Sequence, residues 1–302
     1  MKKILLFPLF TLCFLAVNAQ LPNNSIGPDF TANDIEGNTH NLYAYLDSGY
    51  TVVLDLSAAW CGPCWTVHQT GLLQDIHDQY GPDGTNEMRV FYIESEGANT
   101  EDQLYGIGTN GGGANPATDT HGDWVANHTF PFIDNASIAN AYQLSAFPTI
   151  FAISPNRLTT VFVGSPAPSV ADFYDLHQNS VGPATTAIDP LMMEYSGEST
   201  SLCGSLNAAV KIQNHGTNAL TSLTVDLIQN GGVIATENWT GNAASYSLFD
   251  VEFDNIVIPK LGNILIKRYD SDSIVETIPA LSGKVTGANV SVRITDDFMK
   301  SV

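Results

Sequence analysis

Two cysteines separated by two residues are the side chains of this sequence whose type and spacing point most directly to chemistry. Cys61 and Cys64 enclose Gly62 and Pro63, and Trp60 precedes them. This spacing brings both sulfurs within disulfide distance on the first turn of a helix, so the pair can open and close without refolding. The motif therefore predicts thiol–disulfide exchange.

The two sulfurs are expected to have different roles. The start of a helix presents unpaired backbone N–H groups and the positive end of the helix dipole, which lower the pKa of a thiol from about 8.5. Cys61 lies at that start, so we expect it to attack, whereas Cys64 should be more buried and resolve the mixed disulfide. Gly62 permits close approach of another chain, and Pro63 is well tolerated in a first helical turn. Trp60 is expected to flank the exposed sulfur of Cys61.

Two other uses of this cysteine pair remain open. A structural zinc site usually takes four ligands, often from two such pairs, and beyond residue 19 only Cys203 and scattered histidines could complete it. A permanent disulfide is possible in an exported protein, although closing so short a loop removes little chain entropy. Because the sequence has no ligand cluster and no Gly-rich phosphate loop after a strand, we expect no metal and no organic cofactor.

The motif is expected to lie between the end of a strand and the start of a helix. Residues 51–56 form a short β-branched, apolar run that is typical of a buried strand. Apolar residues then recur at helical spacing from Cys61 to about Tyr80, and Gly81 and Pro82 end that pattern. We therefore predict one helix over this range.

Strands that alternate with helices around the motif predict an α/β layer fold for the first half of the chain. The other predicted elements are a hairpin-like lead-in over 26–46, a strand over 88–93, a hairpin over 147–153 and 158–164, and a helix over 172–179. Residues 94–132 are too polar and Gly-rich for one element. We interpret them as an insertion, with short helices expected near 101–105 and 123–127.

The second half of the chain has a different texture. Strand-like runs alternate with Asn, Gly and Ser clusters, which is typical of a β-sandwich. The runs cover 208–213, 220–229, 233–240, 249–258, 263–269 and 289–295. We therefore predict an α/β domain over 20–181, a linker over 182–188 and an immunoglobulin-like β-sandwich over 189–302, in which no catalytic group of residues is evident.

The first nineteen residues have the three-part layout of a secretory signal peptide. Two lysines precede an apolar run over 4–17, and a small-residue cleavage site ends at Ala19. A membrane anchor is the alternative, but the run is shorter than the roughly 20 residues that a spanning helix needs. We therefore expect removal of residues 1–19, export to the periplasm or the cell exterior, and no stable membrane insertion afterwards.

Acidic residues dominate the charged side chains, and the formal net charge is −20. Residues 20–187 contain 18 acidic side chains against only Arg89 and Arg157, a charge of −16. From residue 188 onward, 13 acidic side chains face 7 basic ones, a charge of −6. Phosphate binding needs clustered Lys and Arg, so we exclude nucleic acid as a partner and interpret the excess as a source of solubility outside the cell.

The segment Trp60-Cys61-Gly62-Pro63-Cys64 after a buried strand resembles the active site of the thioredoxin superfamily. Gly27-Pro28-Asp29-Phe30, Gly37 and Val52-Val53-Leu54 are similar to the opening of its redoxin and TlpA-like branch, whose members are exported thiol reductases. Phe147-Pro148-Thr149 before an apolar strand resembles the family's cis-proline loop. The resemblance covers residues 25–181 and implies a thioredoxin-like fold there.

The resemblance also implies roles for residues outside the cysteine motif. Pro148 corresponds to the cis proline that lies opposite the disulfide, where the neighbouring backbone pairs with the substrate chain. Asp55, six residues before Cys61, matches a buried acid that assists proton transfer near the resolving thiol, and burial would raise its pKa. The alternative is that Asp55 lies at a strand end and faces water. The expected lining of the substrate groove is Trp60, Gly62, Pro63 and Phe147.

Several features depart from the family pattern. Thioredoxin has a Lys after the second cysteine, whereas this chain has Trp65, so a cation that would favour the thiolate is missing. His68 could replace that charge, although a surface histidine is the simpler interpretation. The insertion over 94–132 is expected to reshape the substrate groove. A peroxiredoxin-like peroxidase would need Pro and Thr where this chain has Leu54 and Ala58.

These motifs predict a thiol–disulfide oxidoreductase that acts as a reductase or isomerase on protein or peptide thiols and disulfides. It would need an electron donor or acceptor that the sequence does not identify. A second hypothesis is that the β-sandwich binds a surface, glycan or protein and that the redox domain is secondary. Cys203 is an odd thiol in an exported chain, so it is expected to pair between chains or to stay buried.

Overall fold

The computed structural model describes most of the chain beyond the predicted signal segment. The described residues are 20–162, 168–197, 200–201, 204–229, 232–258, 262–265, 267–270, 273–277 and 291–294. The predicted signal segment and Cys203 lie outside these ranges. None of the helices in the described part of the chain is long and apolar enough to cross a membrane.

The first half of the chain alternates strands with helices, as predicted. Its elements are β1 (Thr31–Asn33), β2 (Thr39–Asn41), α1 (Leu42–Asp47), β3 (Thr51–Ser57), α2 (Gly62–His68), α3 (Leu72–Tyr80), β4 (Met88–Glu94), α4 (Glu101–Leu104), β5 (Thr109–Asn110), β6 (Asp119–Thr120), β7 (Phe132–Asp134), α5 (Ala136–Ala141), β8 (Thr149–Ile153), β9 (Thr159–Phe162) and α6 (Val170–Gln178).

Five of these strands form a central sheet in the order β7-β4-β3-β8-β9. β3, β4 and β7 run parallel to one another, whereas β8 is antiparallel to β3 and to β9. A parallel β-α-β unit joined in one sheet to a β-hairpin and followed by a helix is the arrangement of the thioredoxin-like fold. The predicted fold class is thus confirmed for this half.

β3 lies in the middle of the sheet, and all seven of its residues are buried. Its side chains alternate between two hydrophobic cores, as the period of a strand requires. Val53 packs in the core that also contains residues of α2, α3 and α6. Val52, Leu54 and Leu56 pack in the core on the other face, together with residues of α1 and α5. The strand that leads into the cysteine motif is therefore held from both sides.

The single helix predicted from Cys61 to Tyr80 is wrong, because the chain forms two helices with a break after His68. Gly71 has a φ of +76°, in the left-handed region that glycine adopts at little cost, and it is the N-cap of α3. The apolar spacing continues across the break, so the periodicity alone could not show it. The helix predicted near 123–127 is also absent. There the carboxylate of Asp123 accepts hydrogen bonds from two backbone N–H groups and holds a turn.

The elements described in the second half are all strands. Its strands are β10 (Pro190–Gly197), β11 (Thr200–Ser201), β12 (Gly204–Asn214), β13 (Leu220–Gln229), β14 (Gly232–Ala243), β15 (Leu248–Ile258), β16 (Gly262–Leu265), β17 (Lys267–Asp270), β18 (Ser273–Thr277) and β19 (Ser291–Ile294). β10, β11 and β18 lie outside the predicted runs. β10 lacks β-branched residues, and a register shift between Met192 and Glu194 interrupts its pairing with β12, which removes the alternation that marks a strand.

The strands of the second half form two sheets. One has the order β10-β12-β15, and the other has the order β11-β16-β13-β19-β17-β18, with β14 also paired to β13. Side chains from both sheets share one core, including Ile212 from β12, Leu227 from β13 and Phe253 from β15. The half is therefore a layered β structure, whereas its immunoglobulin-like topology and the domain limits at 181 and 189 remain predictions.

The two halves contact each other through the turn between β8 and β9. The guanidinium of Arg157 lies over the rings of Tyr43 and Tyr246, 3.9 and 4.0 Å from their centroids. The side chain of Gln213 donates a hydrogen bond to the backbone carbonyl of Asn156 at 2.9 Å. Residues 182–188, the predicted linker, contain no helix or strand. The second half therefore touches the sheet hairpin in addition to its covalent connection.

Truncation of a side chain in β3 should destabilise the protein strongly. Leu54 is fully buried, so Leu54→Ala is expected to lower the free energy of unfolding by about 2–5 kcal/mol. Ile107, which is 60% exposed, provides the matched control, and Ile107→Ala should change it by no more than about 0.5 kcal/mol. Urea unfolding followed by circular dichroism measures both variants, and equal effects would contradict the described packing.

Candidate active site

A disulfide joins Cys61 and Cys64 at the start of α2. Cys61 is the N-cap of the helix, and its sulfur accepts a hydrogen bond from the backbone N–H of Cys64 at 3.2 Å. Cys61 is only 3% exposed and Cys64 is fully buried, so the prediction of an exposed sulfur on Cys61 is wrong for the disulfide, because Trp60 and Phe147 pack against the core that contains both cysteines. A helix N–H group thus already faces the sulfur that would carry negative charge after reduction.

Aromatic and proline residues surround the pair where the sequence predicts a substrate groove. The ring of Trp60 packs edge-to-face against Phe147, with centroids 5.6 Å apart. The bond between Phe147 and Pro148 is cis, as the family resemblance implies. Gly62 and Pro63 form the first turn of α2. The structure therefore brings Trp60 and the cis-proline turn together beside the disulfide, while the part that each plays in exchange remains a prediction.

Two glycines of the insertion pack closely against tryptophans at the cysteine motif. A Cβ on Gly113 would lie 2.5 Å from the ring of Trp60, and one on Gly122 would lie 2.9 Å from the ring of Trp65. Such distances are shorter than side-chain contacts allow, so both positions require glycine. The backbone N–H of His121 donates a hydrogen bond to the carbonyl of Ala59 at 3.1 Å. The insertion therefore forms one wall of the candidate site.

Asp55 is fully buried in β3, so the alternative that it faces water is wrong. It lies on the sheet face of Val53, in register with Tyr92 and Ile150, and these three residues belong to the core that contains both cysteines. Its Oδ1 accepts a hydrogen bond from Ser57 at 2.6 Å, and its Oδ2 has no partner among the described residues. Burial raises the pKa of Asp55 to about 7, although the Ser57 hydrogen bond opposes this shift.

Glu94 is a second buried carboxyl, which the sequence analysis missed. Its Oε2 accepts hydrogen bonds from the backbone N–H of Ala59 at 2.9 Å and from the Tyr92 hydroxyl at 3.2 Å, and its Oε1 accepts one from the Glu96 N–H at 3.0 Å. Burial raises its pKa to about 8, although these hydrogen bonds lower it in part. Because the predicted strand ends at residue 93, Glu94 is assigned to the polar insertion. The position of Glu94 directly after a buried apolar run could have indicated that its carboxyl is buried too.

His68 is buried rather than on the surface, which corrects the simpler sequence interpretation. Its ring packs among Trp65, Trp124 and His128, with centroids 5.4, 4.8 and 4.2 Å away. Burial lowers the pKa of His68 to about 4, and the neighbouring His128 acts in the same direction. The imidazole is therefore neutral at pH 7 and does not supply the cation that the motif lacks.

Comparison with known proteins gives matches among solved structures. Neither a protein-family model nor a curated protein sequence matches the chain. A putative thiol:disulfide interchange protein DsbE from Chlorobium tepidum is 22% identical, with a TM-score of 0.37, and the match covers 52% of this chain and 94% of that one. The thioredoxin domain of a thiol-disulfide oxidoreductase from Bacteroides vulgatus is 16% identical, with a TM-score of 0.36 and coverages of 52% and 96%.

A third match is the exposed lipoprotein thioredoxin of Streptococcus pneumoniae. It is 17% identical, with a TM-score of 0.35, and the match covers 50% of this chain and 98% of that one. All three similarities thus involve about half of this chain and nearly all of the other protein. The fold assignment rests on the strand order of the central sheet rather than on these similarities.

The buried carboxyls should make stability depend on pH in a defined direction. Because burial raises their pKa values to about 7 and about 8, folded Asp55 and Glu94 keep protons that the unfolded chain has already lost. The folded state then binds more protons, so these groups make the free energy of unfolding fall as pH rises from about 4 to those values.

Replacement of Asp55 by Asn removes one of these titrations. The free energy of unfolding of Asp55→Asn should therefore fall less steeply than that of the wild type between about pH 4 and 7, by up to about 1.4 kcal/mol per pH unit. Glu94→Gln should show the same change over a window that extends to about pH 8. Urea unfolding at several pH values measures these slopes, and parallel curves for wild type and both variants would contradict the burial of protonated carboxyls.

Proposed function

We propose that this protein is an exported thiol–disulfide oxidoreductase that acts on protein or peptide substrates as a reductase or isomerase. The observation that carries the proposal is the Cys61–Cys64 disulfide at the start of α2, with a helix N–H directed at the Cys61 sulfur. This arrangement favours a thiolate on Cys61 and leaves Cys64 behind it as the resolving group.

Reduction of a substrate would proceed in two exchange steps. The Cys61 thiolate attacks a sulfur of the substrate disulfide, forming a mixed disulfide and releasing one substrate thiolate, which takes a proton from water. Cys64 then loses its proton and attacks the Cys61 sulfur, which restores the disulfide and releases the second substrate thiol. Two electrons pass from the cysteine pair to the substrate, and an external dithiol donor returns them.

The proton of Cys64 needs an acceptor that water cannot easily provide, because Cys64 is fully buried. Asp55 lies on the same sheet face as Val53, which packs in the core that contains Cys64, and the pKa of about 7 that burial gives Asp55 suits both uptake and release of a proton near neutral pH. Its unpartnered Oδ2 leaves an acceptor available. We infer that Asp55 receives this proton.

The substrate would bind across the turn that contains the cis bond. The backbone beside Pro148 would pair with an extended substrate segment, and Trp60 and Phe147 would contact its side chains. Gly62 and Pro63, in the first turn of α2, would line the same groove. No metal or organic cofactor takes part in these steps, since the electrons reside in the sulfur pair.

Export is proposed from the leader-like segment over 1–19 and from the acidic composition. Disulfide exchange on secreted proteins needs such a location, because the cytosol keeps most thiols reduced. The second half of the chain carries no described cluster with a catalytic geometry. The hypothesis that it binds a surface, glycan or protein therefore remains a separate prediction.

Variants of the two cysteines should separate attack from resolution. Cys61→Ser is expected to reduce the rate of insulin reduction in dithiothreitol to the uncatalysed rate, because the attacking sulfur is lost. Cys64→Ser should still attack but accumulate a mixed disulfide with the substrate, which mass spectrometry after acid quenching detects. Cys203→Ser, which changes a thiol outside the motif, provides the control and should keep wild-type activity.

Two results would count against the proposal. Wild-type activity in Cys61→Ser would show that this pair does not carry out exchange. Trapping of the substrate on Cys61→Ser rather than on Cys64→Ser would reverse the two roles.

A further inference from the structure

The candidate site lacks a positive charge for the thiolate that its chemistry requires. Trp65 occupies the position after the second cysteine, and residues 20–187 carry a formal charge of −16. His68, the histidine on the same helix as the pair, is neutral because burial lowers its pKa to about 4. Negative surroundings oppose ionisation of a thiol, so a source of compensation should lie elsewhere in the fold.

His121 lies beside the reacting turn and comes from the insertion. Its Nε2 is 3.4 Å from the point where a Cβ on Gly62 would stand, and Gly62 is bonded directly to Cys61. Its backbone N–H is bound to the carbonyl of Ala59 at 3.1 Å, two residues before Cys61. The backbone of His121 is thus fixed beside the motif, and its ring lies at ordinary contact distance from residue 62.

The Nε2 atom of His121 is buried and has no hydrogen-bond partner among the described residues. A buried nitrogen of this kind is costly unless it gains a partner in another state of the protein. Reduction creates such a partner, since opening the disulfide converts the Cys61 sulfur into an anion that can accept further hydrogen bonds. In the disulfide, that sulfur accepts from the Cys64 N–H.

The acidic side chains nearest to this turn are engaged with other donors. The Asp119 carboxylate accepts from the backbone N–H groups of Gly113 and Asn115, both at 3.1 Å. Glu96 accepts from the Trp60 indole at 3.1 Å, and Glu94 accepts from the Ala59 N–H at 2.9 Å. The Asp123 carboxylate accepts from the N–H groups of the turn that follows it. None of these contacts involves the His121 ring.

We propose that His121 stabilises the Cys61 thiolate of the reduced pair through a hydrogen bond from Nε2–H. This inference rests on the proposed exchange function and adds a residue that the insertion supplies. When a dithiol donor reduces the disulfide, its two electrons break the S–S bond and the donor becomes a disulfide. Of the two protons released, one binds the Cys64 sulfur and the other binds the His121 imidazole. The thiolate then faces an imidazolium ion, which replaces the missing cation.

The test measures the acidity of Cys61 in the reduced full-length mature protein, on a Cys203→Ser background. Iodoacetamide alkylates thiolates, so its rate against pH gives the apparent thiolate pKa, and mass spectrometry identifies the modified cysteine. His121→Ala is expected to raise this pKa by about one unit, which slows alkylation about tenfold at pH values well below the wild-type pKa. His121→Gln keeps a hydrogen-bond donor but not the charge, so its Cys61 pKa should lie between those of the wild type and His121→Ala.

His128→Ala is the matched control, because His128 belongs to the same insertion but packs against His68 at the far end of α2. Its alkylation profile should stay within twofold of the wild type. Profiles of His121→Ala and His121→Gln that overlay the wild type would overturn the inference. An equally large fall in the Cys61 alkylation rate in His128→Ala would also overturn the inference, since the effect would then reflect packing of the insertion.

Exchange of the wild-type protein with oxidised glutathione, measured in parallel, separates this inference from the proposed function. Exchange by the wild type together with unchanged His121 variants would refute only the role of His121. If the wild type does not exchange but its Cys61 alkylation still depends on His121, the proposed function fails and the contact with the thiolate stands.

Discussion

The contact between the Cys61 sulfur and a helix N–H group is the interaction around which the first half of this protein is arranged. Cys61 follows the segment that leaves β3, and it is also the N-cap of α2, so that the Cys64 N–H faces its sulfur. A fixed position of this sulfur therefore requires a rigid β3. β3 meets that requirement because it is the central strand of the sheet and packs in a core on each face.

The burial that fixes β3 also raises the pKa values of two carboxyl groups near the cysteine motif. Asp55 and Glu94 lie in low-polarity surroundings where the neutral carboxyl is favoured, so both titrate near neutral pH instead of near pH 4. Glu94 also binds the N–H of Ala59, and His121 binds the carbonyl of the same residue. Ala59, two residues before Cys61, is thus bound by the side chain of Glu94 from the sheet and by the backbone of the insertion.

Much of this arrangement could be predicted from local sequence, because strand, motif and cis-proline turn each have short-range signatures. The burial of His68 could not, since it depends on Trp124 and His128, which the insertion places against α2. The break between α2 and α3 at Gly71 could not be predicted for a different reason. Apolar residues on both sides keep helical spacing, and only the backbone conformation of one glycine distinguishes two helices from one.

The reduction potential of the Cys61–Cys64 pair decides whether this disulfide is redox-active or structural. The Cys203→Ser protein would be equilibrated with glutathione and dithiothreitol mixtures, and the fraction with an open disulfide would be counted after alkylation. A redox-active pair should have a potential between about −120 and about −270 mV, the range of exchange enzymes, and a value near the lower limit would mark a reductase. A disulfide that stays closed below about −300 mV would be a structural cross-link, and the proposed function would be contradicted.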